Sequence, residues 1–304
     1  MSNNNVLKGV FLVGLGATSY GMLATFVKLA YSDVSSQGLH YTPAEVITAQ
    51  FVIGIMIVLG INAFQKNRKG AKNIVKASSM DIKKLMLVGT STGLTSIFYY
   101  LAVKFIPVSI GIVLLMQTVW MGVVLEMILE KKYPSKIKII AVLIVLFGTA
   151  LATNLFNNTI ELDWRGIVLG LLAAASFTTT MFAANKVALN ISSAQRSLYM
   201  LLGGIVVVFI FAIITQKTPF NFDIFYKWGI IIALFGTVIP PILLNAGFPL
   251  TGIGLGSIVS ALELPVSVMM AFVFLNESVV FSQWIGISLI ILAIIMMNLK
   301  FKKY

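Results

Sequence analysis

The chain has 304 residues, 59% of them hydrophobic and 11% charged, with a mean hydropathy of +0.98 and a formal net charge of +12. A soluble domain carries about 25% charged residues, so this composition excludes a soluble enzyme, a coiled coil and a disordered chain, and points to an all-α integral membrane protein. With no cysteine and one histidine, His40, it also excludes disulfides and a multi-histidine metal centre within one chain, and neither a metal nor a cofactor is expected.

Ten apolar runs follow one another, at about 7–30, 44–64, 84–103, 106–129, 137–155, 164–187, 197–215, 228–247, 252–275 and 281–299. Each approaches the roughly 20 residues that a helix needs to cross a bilayer. The runs are continuous rather than alternating, which favours helices over barrel strands. The first is too long for a signal-peptide core and no small-residue cleavage site follows it, so it reads as a retained helix. Thr42-Pro43-Ala44-Glu45 reads as a helix start, with Thr42 as cap, Pro43 at the first helical position and Glu45 closing a capping box. The longest connection, 65–83, is strongly basic and reads equally as an interfacial helix or a solvated loop.

Basic residues orient the chain. Of the 22 Lys and Arg, 17 fall on one side of a ten-span topology; Lys28, Lys104, Arg165, Lys217 and Lys227 fall on the other. The positive-inside rule then puts both termini in the cytoplasm of a multi-pass protein of the cell (inner) membrane. This placement also accounts for the excess charge without a nucleic-acid partner.

A shift of 147 residues lays Gly89-Thr90 on Gly236-Thr237, Leu115 on Leu262, Val119 on Val266, Glu130 on Glu277 and Ile140 on Ile287. The Gly-Thr pair and the glutamate carry the weight, because aliphatic matches are common in so apolar a chain. The halves are 1–155 and 156–304, with five spans each. Five is odd, so the second half enters the membrane upside down. Inverted repeats are a signature of alternating-access transporters, which bind substrate between the repeats.

Glu263 is the acidic residue deep inside a span, where a charge costs about 2.5–3.5 kcal/mol on insertion scales. Gly256, Ser260, Glu263 and Ser267 share one helix face, and Pro265 weakens the backbone ladder beside them. The functional reading is a cavity carboxyl that binds a substrate amine or takes up a proton; the structural reading is a tie to a neighbouring helix. Gly14, Thr18, Gly21, Thr25 and Lys28 form a small, polar stripe on the first span, and Ser176, Thr179, Ala183 and Lys186 repeat the theme on the sixth. Such stripes suit close packing as well as ligand contact. Lys28 and Lys186 lie near span ends, where snorkelling is the usual role and gating the alternative. Tyr99, Gln117 and Trp120, and Asn245 after Pro240-Pro241, are further candidates for stacking on or orienting a solute. The interfacial aromatic belt is the rival role for Tyr99 and Trp120. Gly252-x-Gly254-x-Gly256 is not a nucleotide loop, since neither a strand precedes it nor a Walker lysine follows.

Several of these segments resemble a known family. Phe98-Tyr99-Tyr100-Leu101-Ala102-Val103-Lys104-Phe105-Ile106-Pro107, the run Ser260-Ala261-Leu262-Glu263-Leu264-Pro265-Val266 with Leu275-Asn276-Glu277, Glu130 at the end of the fourth span, and Tyr20-Gly21 with Lys28 resemble, in order, motifs of the EamA-type drug/metabolite transporters. The resemblance implies a ten-helix exporter or exchanger of metabolites with a central cavity. The chain departs from the family pattern at Gln50, where relatives often carry the arginine that Arg196 keeps, and at Thr118, where they often carry the proline that Pro265 keeps. The halves are therefore functionally unequal.

The expected function is secondary active transport of small metabolites by alternating access, with amino acids or related amphipathic solutes as candidates and a proton or counter-substrate as coupling partner. Export follows from the resemblance alone. Alternatives are an antiporter of phosphorylated or nucleotide-linked sugars, which would want several buried Lys or Arg, a passive channel, and an integral-membrane lipid enzyme.

Overall fold

The computed structural model describes residues 3–67, 75–102, 104–106, 108–155, 163–276 and 278–300. These residues are helical with no strand among them, apart from an isolated bridge between Val34 and His40. The middle of the basic loop, Pro107, Val103, Glu277 and the tail beyond Lys300 lie outside the described residues.

The helices are α1 (Asn3–Ser32), α2 (Pro43–Asn67), α3 (Ser79–Ala102), α4 (Val108–Leu115), α5 (Thr118–Glu130), α6 (Lys136–Ala152), α7 (Trp164–Lys186), α8 (Ser193–Thr215), α9 (Ile230–Ala233), α10 (Ile239–Thr251), α11 (Ile253–Ser260), α12 (Glu263–Leu275) and α13 (Phe281–Lys300). Among the described residues eight stretches are long and apolar enough to cross a membrane, with Phe281–Met297 as a shorter apolar helix. Large apolar side chains such as Phe11, Leu87, Leu143 and Ile213 stay exposed, as expected for a lipid-facing surface.

Local chemistry sets the helix ends. The Thr42 amide donates to Glu45 Oε2 at 2.7 Å and the Glu45 amide to Thr42 Oγ1 at 3.2 Å, the reciprocal capping box expected from the sequence. Ser78 and Asp81 repeat it on α3, while Ser135, Asp163 and Ser192 cap α6, α7 and α8. Residues 225–229 and 234–238 widen into π turns. The second lies just before Pro240 and Pro241, which lack the N–H groups that the carbonyls four residues earlier would accept from. Gly252, at φ +78°, makes the tight turn between α10 and α11 that a residue with a Cβ would strain.

Two spans are broken in the same way. α4 and α5, of 8 and 13 residues, are separated by Met116-Gln117. α11 and α12, also of 8 and 13 residues, are separated by Ala261-Leu262. Packing is reciprocal: α4 and α5 lie on α7, while α11 and α12 lie on α1; α3 lies on α7, while α10 lies on α1. α2 packs on α8, α6 on α13, and α5 on α11. Exchanging α1 for α7, α3 for α10, α4 for α11 and α5 for α12 keeps the contacts made by α1 and α7, whereas the α5–α11 packing has no comparable α4–α12 counterpart.

Contacts between connections sort them into two ends. At one end the 33–42 loop meets residues 216–228, and the α13 start meets the α6 end through Gln283 Nε2, which donates to Ala152 O at 2.9 Å. At the other end residues 75–81 meet 190–195, and Glu126 at the α5 end meets Lys138 and the start of α11.

Candidate substrate cavity

A cavity of about 500 Å³ opens between α1, α2, α3, α12 and the π turn at 234–238. α1 lines it from Tyr20 to Tyr31, α3 from Thr92 to Tyr100, and α12 from Glu263 to Leu275. In α1 and α3 this is the part nearer the end bearing the 33–42 loop, and in α12 it is the whole length of the helix. Ser278, Val279 and Gln283 extend the wall at that end, while Glu263, Met116, Phe177 and Pro241 form the floor.

Glu263 is the first residue of α12, directly after the break, and its carboxyl faces the cavity with neither a hydrogen bond nor an ion pair among the described residues. The break is held close to α1: a Cβ on Gly21 would stand 2.5 Å from Glu263 O and 2.8 Å from Val266 Cβ. Tyr20 and Tyr99 stand within electrostatic reach of the carboxyl. Tyr20 meets Phe177 edge-on at 6.0 Å, and Tyr99, Tyr100 and Tyr31 form a chain of edge contacts, each at 6.1 Å.

The opposite end is packed shut. Glycines bring α3 and α8 backbones together, with Gly203 against Met86 and Gly89 against Met200. Arg196, 2% exposed, lies in a knot of carbonyls. Its Nε donates to Val187 O at 3.0 Å, Nη1 to Asn245 O at 2.6 Å, and Nη2 to Ala183 O at 3.0 Å and to Ala184 O. Pro249 explains one acceptor: it lacks the N–H that would bond Asn245 O, four residues earlier. The others lie at the α7 C-terminus, where a cation also meets the negative end of the helix dipole. Beside this knot, Glu126 accepts from Lys138 Nζ and, at 3.1 Å, from the Gly254 amide.

At the cavity end the loops are clasped over the bundle. Glu45, 0% exposed, accepts from Asn221 N, Asn221 Nδ2 and Gln216 Nε2 at 2.8–3.0 Å. Asp33 Oδ2 accepts from the Trp228 indole at 2.9 Å, Asp223 Oδ2 from the Ser36 amide at 2.7 Å, and Lys227 Nζ donates to Val34 O at 3.0 Å. The Trp228 and Val34 N–H groups hold the Asp33 carboxyl below the usual range. Desolvation pushes Asp223 up, but the Ser36 amide and Lys227 outweigh it and its carboxyl also sits low.

Of the residues singled out from the sequence, Glu263, Ser267, Tyr20, Thr25, Tyr99 and Lys28 line the cavity. The others lie elsewhere. Trp120 is 38% exposed and its indole donates to Gln117 Oε1 at 2.9 Å, while Gln117 Nε2 donates to Val113 O, so the pair secures the α4–α5 break. Thr179 and Ser260 spend their hydroxyl protons on Ala175 O and Gly256 O of their own helices. Asn245 is buried against Ser197 and the Arg196 knot, Pro265 is buried without lining the cavity, Lys186 is exposed at the α7 end, and Thr18 is not among the lining residues. The sequence reading missed the α3 face of Thr92, Thr95 and Ser96, the aromatic pair Tyr31 and Tyr100, and Gln50, Thr237 and Gln283. The helical spacing of Thr92, Thr95, Ser96 and Tyr99 was the available signal.

The EamA-like transporter family model matches the chain twice, over residues 7–154 and 164–299. The chain belongs to the EamA-like transporter family. It is an integral, multi-pass membrane protein of a family whose members move small solutes. A search of curated proteins finds no match. One solved protein crystal structure superposes with a TM-score of 0.75 at 13% identity, covering 96% of this chain and 97% of the other, which shows a shared fold and nothing finer.

Proposed function

We propose that the chain is a secondary active transporter carrying small amphipathic solutes across the cell (inner) membrane by alternating access, with export as the direction. The observation that carries this reading is a cavity reached from one end of the bundle, with the Glu263 carboxyl at its floor and the other end packed shut around Arg196. Alternating access needs such a one-sided site.

The reading includes ten crossings in two inverted repeats, residues 1–155 and 156–304, with both termini cytoplasmic. The paired 8- and 13-residue broken helices, the reciprocal packing and the two sets of connections support it. On this topology the cavity faces outward. A phosphorylated sugar fits poorly, because its charge would face a carboxylate at the floor while Lys28 supplies the basic group on the wall.

Flux into proteoliposomes tests the reading. A transporter gives saturable uptake accelerated by substrate on the opposite side, whereas a channel gives neither. Glu263→Gln keeps size and hydrogen bonding but cannot titrate. The expected result is loss of most transport or of its pH dependence; a wild-type rate with an unchanged pH profile overturns the role of Glu263.

A further inference from the structure

The aromatic wall and hydroxyl face add a chemical selection to the cavity, and we infer that its ligand is a cationic amine on an apolar or aromatic body, with no carboxylate beside the nitrogen. The inference deepens the transport reading and rests on it for the ligand's fate, but not for its binding.

Three features point to this ligand. The Glu263 carboxyl faces the cavity without a partner among the described residues. Tyr20 and Tyr99 stand within electrostatic reach of it, Phe177 meets Tyr20 edge-on and Tyr100 meets Tyr99 edge-on, and all four rings line the same cavity; ring faces attract ammonium groups, most strongly where water is excluded. The α3 wall then selects for donors. Thr92, Thr95 and Ser96 give their hydroxyl protons to Gly89 O, Ser91 O and Thr92 O. Thr237 gives its proton to Gln50 O and Ala233 O. With their protons committed, these oxygens offer lone pairs to the cavity. An ammonium has only N–H groups to give, so acceptors, ring faces and carboxylate agree.

An α-amino acid meets the same floor badly. Its ammonium and carboxylate lie roughly 3 Å apart by standard bond lengths, so pairing the amine with Glu263 presses a second carboxylate onto the floor. The basic residue on the wall, Lys28, lies seven residues beyond Gly21 on α1, about 10 Å at the helical rise per residue. The volume of about 500 Å³ leaves room for a body well beyond the amine.

Phenethylamine, phenylalanine and 3-phenylpropionate share one body and differ in charge, and benzyltrimethylammonium removes the exchangeable proton. Titration calorimetry of each against the purified full-length protein decides the class. Phenethylamine is expected to bind at least about tenfold tighter than phenylalanine, the lower end for a charge-assisted contact. 3-Phenylpropionate is expected not to bind, and Glu263→Gln to weaken phenethylamine by a similar factor. Tyr99→Leu is expected to weaken benzyltrimethylammonium. Phenylalanine or 3-phenylpropionate binding as tightly as the amine overturns the inference, as does absence of binding by both cations. If Glu263→Gln does not fold, the comparison on the wild-type chain stands as the test. Amine binding without flux in proteoliposomes sinks the transport reading and leaves the ligand class standing. Flux of the zwitterion in preference to the amine does the reverse.

Discussion

Arg196 and Pro249 make a quantitative prediction, because each explains the other. Arg196→Met removes a guanidinium that serves four carbonyls. Ala183 O keeps the Val187 amide at 3.0 Å. Val187 O, Ala184 O and Asn245 O lose their guanidinium donor, and Asn245 O gets no replacement from the helix because Pro249 has no N–H. At about 1 kcal/mol per lost bond inside a membrane protein, the substitution costs about 3 kcal/mol. That corresponds to a melting-point fall on the order of 5 °C or more. Pro249→Ala supplies an N–H in line with Asn245 O. Alongside Arg196 this donor is redundant; in Arg196→Met it restores the missing bond. The double-mutant cycle therefore shows a coupling of about 1 kcal/mol, the double variant being more stable than the sum of the singles. Thermal unfolding of the four proteins in one detergent measures it. Additivity within about 0.3 kcal/mol refutes the claim that Pro249 creates the acceptor that Arg196 fills.

Other outcomes follow from the same geometry. Gly21→Val drives side-chain atoms into Glu263 O and Val266, so it is expected to destabilise the fold by about 1–3 kcal/mol, read as a lower melting temperature; an unchanged one contradicts the α1–α12 contact. The carboxyls of Asp33 and Asp223 are held low, so the clasp they make is fully stabilising above the ordinary carboxylate range and weakens as pH falls through their folded values, below about pH 4. Trp228 fluorescence is expected to change on acidification in the wild type and to be already shifted in Asp33→Asn; identical profiles refute this. Single cysteines at Gln37 and Ser135 test orientation in intact cells: an impermeant reagent is expected to label the first and spare the second, and the reverse pattern inverts the topology.

Composition and run length made the membrane class and the helices legible, because bilayer thickness imposes the same length and apolarity on every crossing; the twofold repeat was legible from the 147-residue shift that aligns Gly89-Thr90 with Gly236-Thr237. The capping box at Thr42 and Glu45 was legible because its partners are three residues apart. The cavity was only partly legible. Thr92 and Thr179 look alike in sequence, as hydroxyls on apolar helices, yet one lines the cavity and the other is exposed with its proton on Ala175 O. Which helix face turns inward depends on contacts between α3, α7 and α8 that no local pattern records. Asn245 and Arg196 were each visible as polar residues in apolar runs, but their partnership spans 49 residues and depends on the proline at 249.

Similarity of the halves also explains where chemistry can reside. α5 and α12 each have 13 residues and follow a two-residue break, so the fold offers two corresponding positions beside the cavity. At the first, Met116, which the 147-residue shift lays on Glu263, lines the cavity, while Thr118, laid on Pro265, is buried against Thr178. At the second, Glu263 opens α12 and faces the cavity. A carboxylate at both would place two like charges in one low-dielectric space, where each raises the cost of ionising the other. One charged and one apolar break avoids that repulsion. Among the described lining residues this leaves Glu263 as the acidic side chain, with Met116 offering apolar surface to the same cavity. The two breaks are thus alike in backbone and unlike in chemistry, one bringing a thioether and the other a carboxyl to the same cavity.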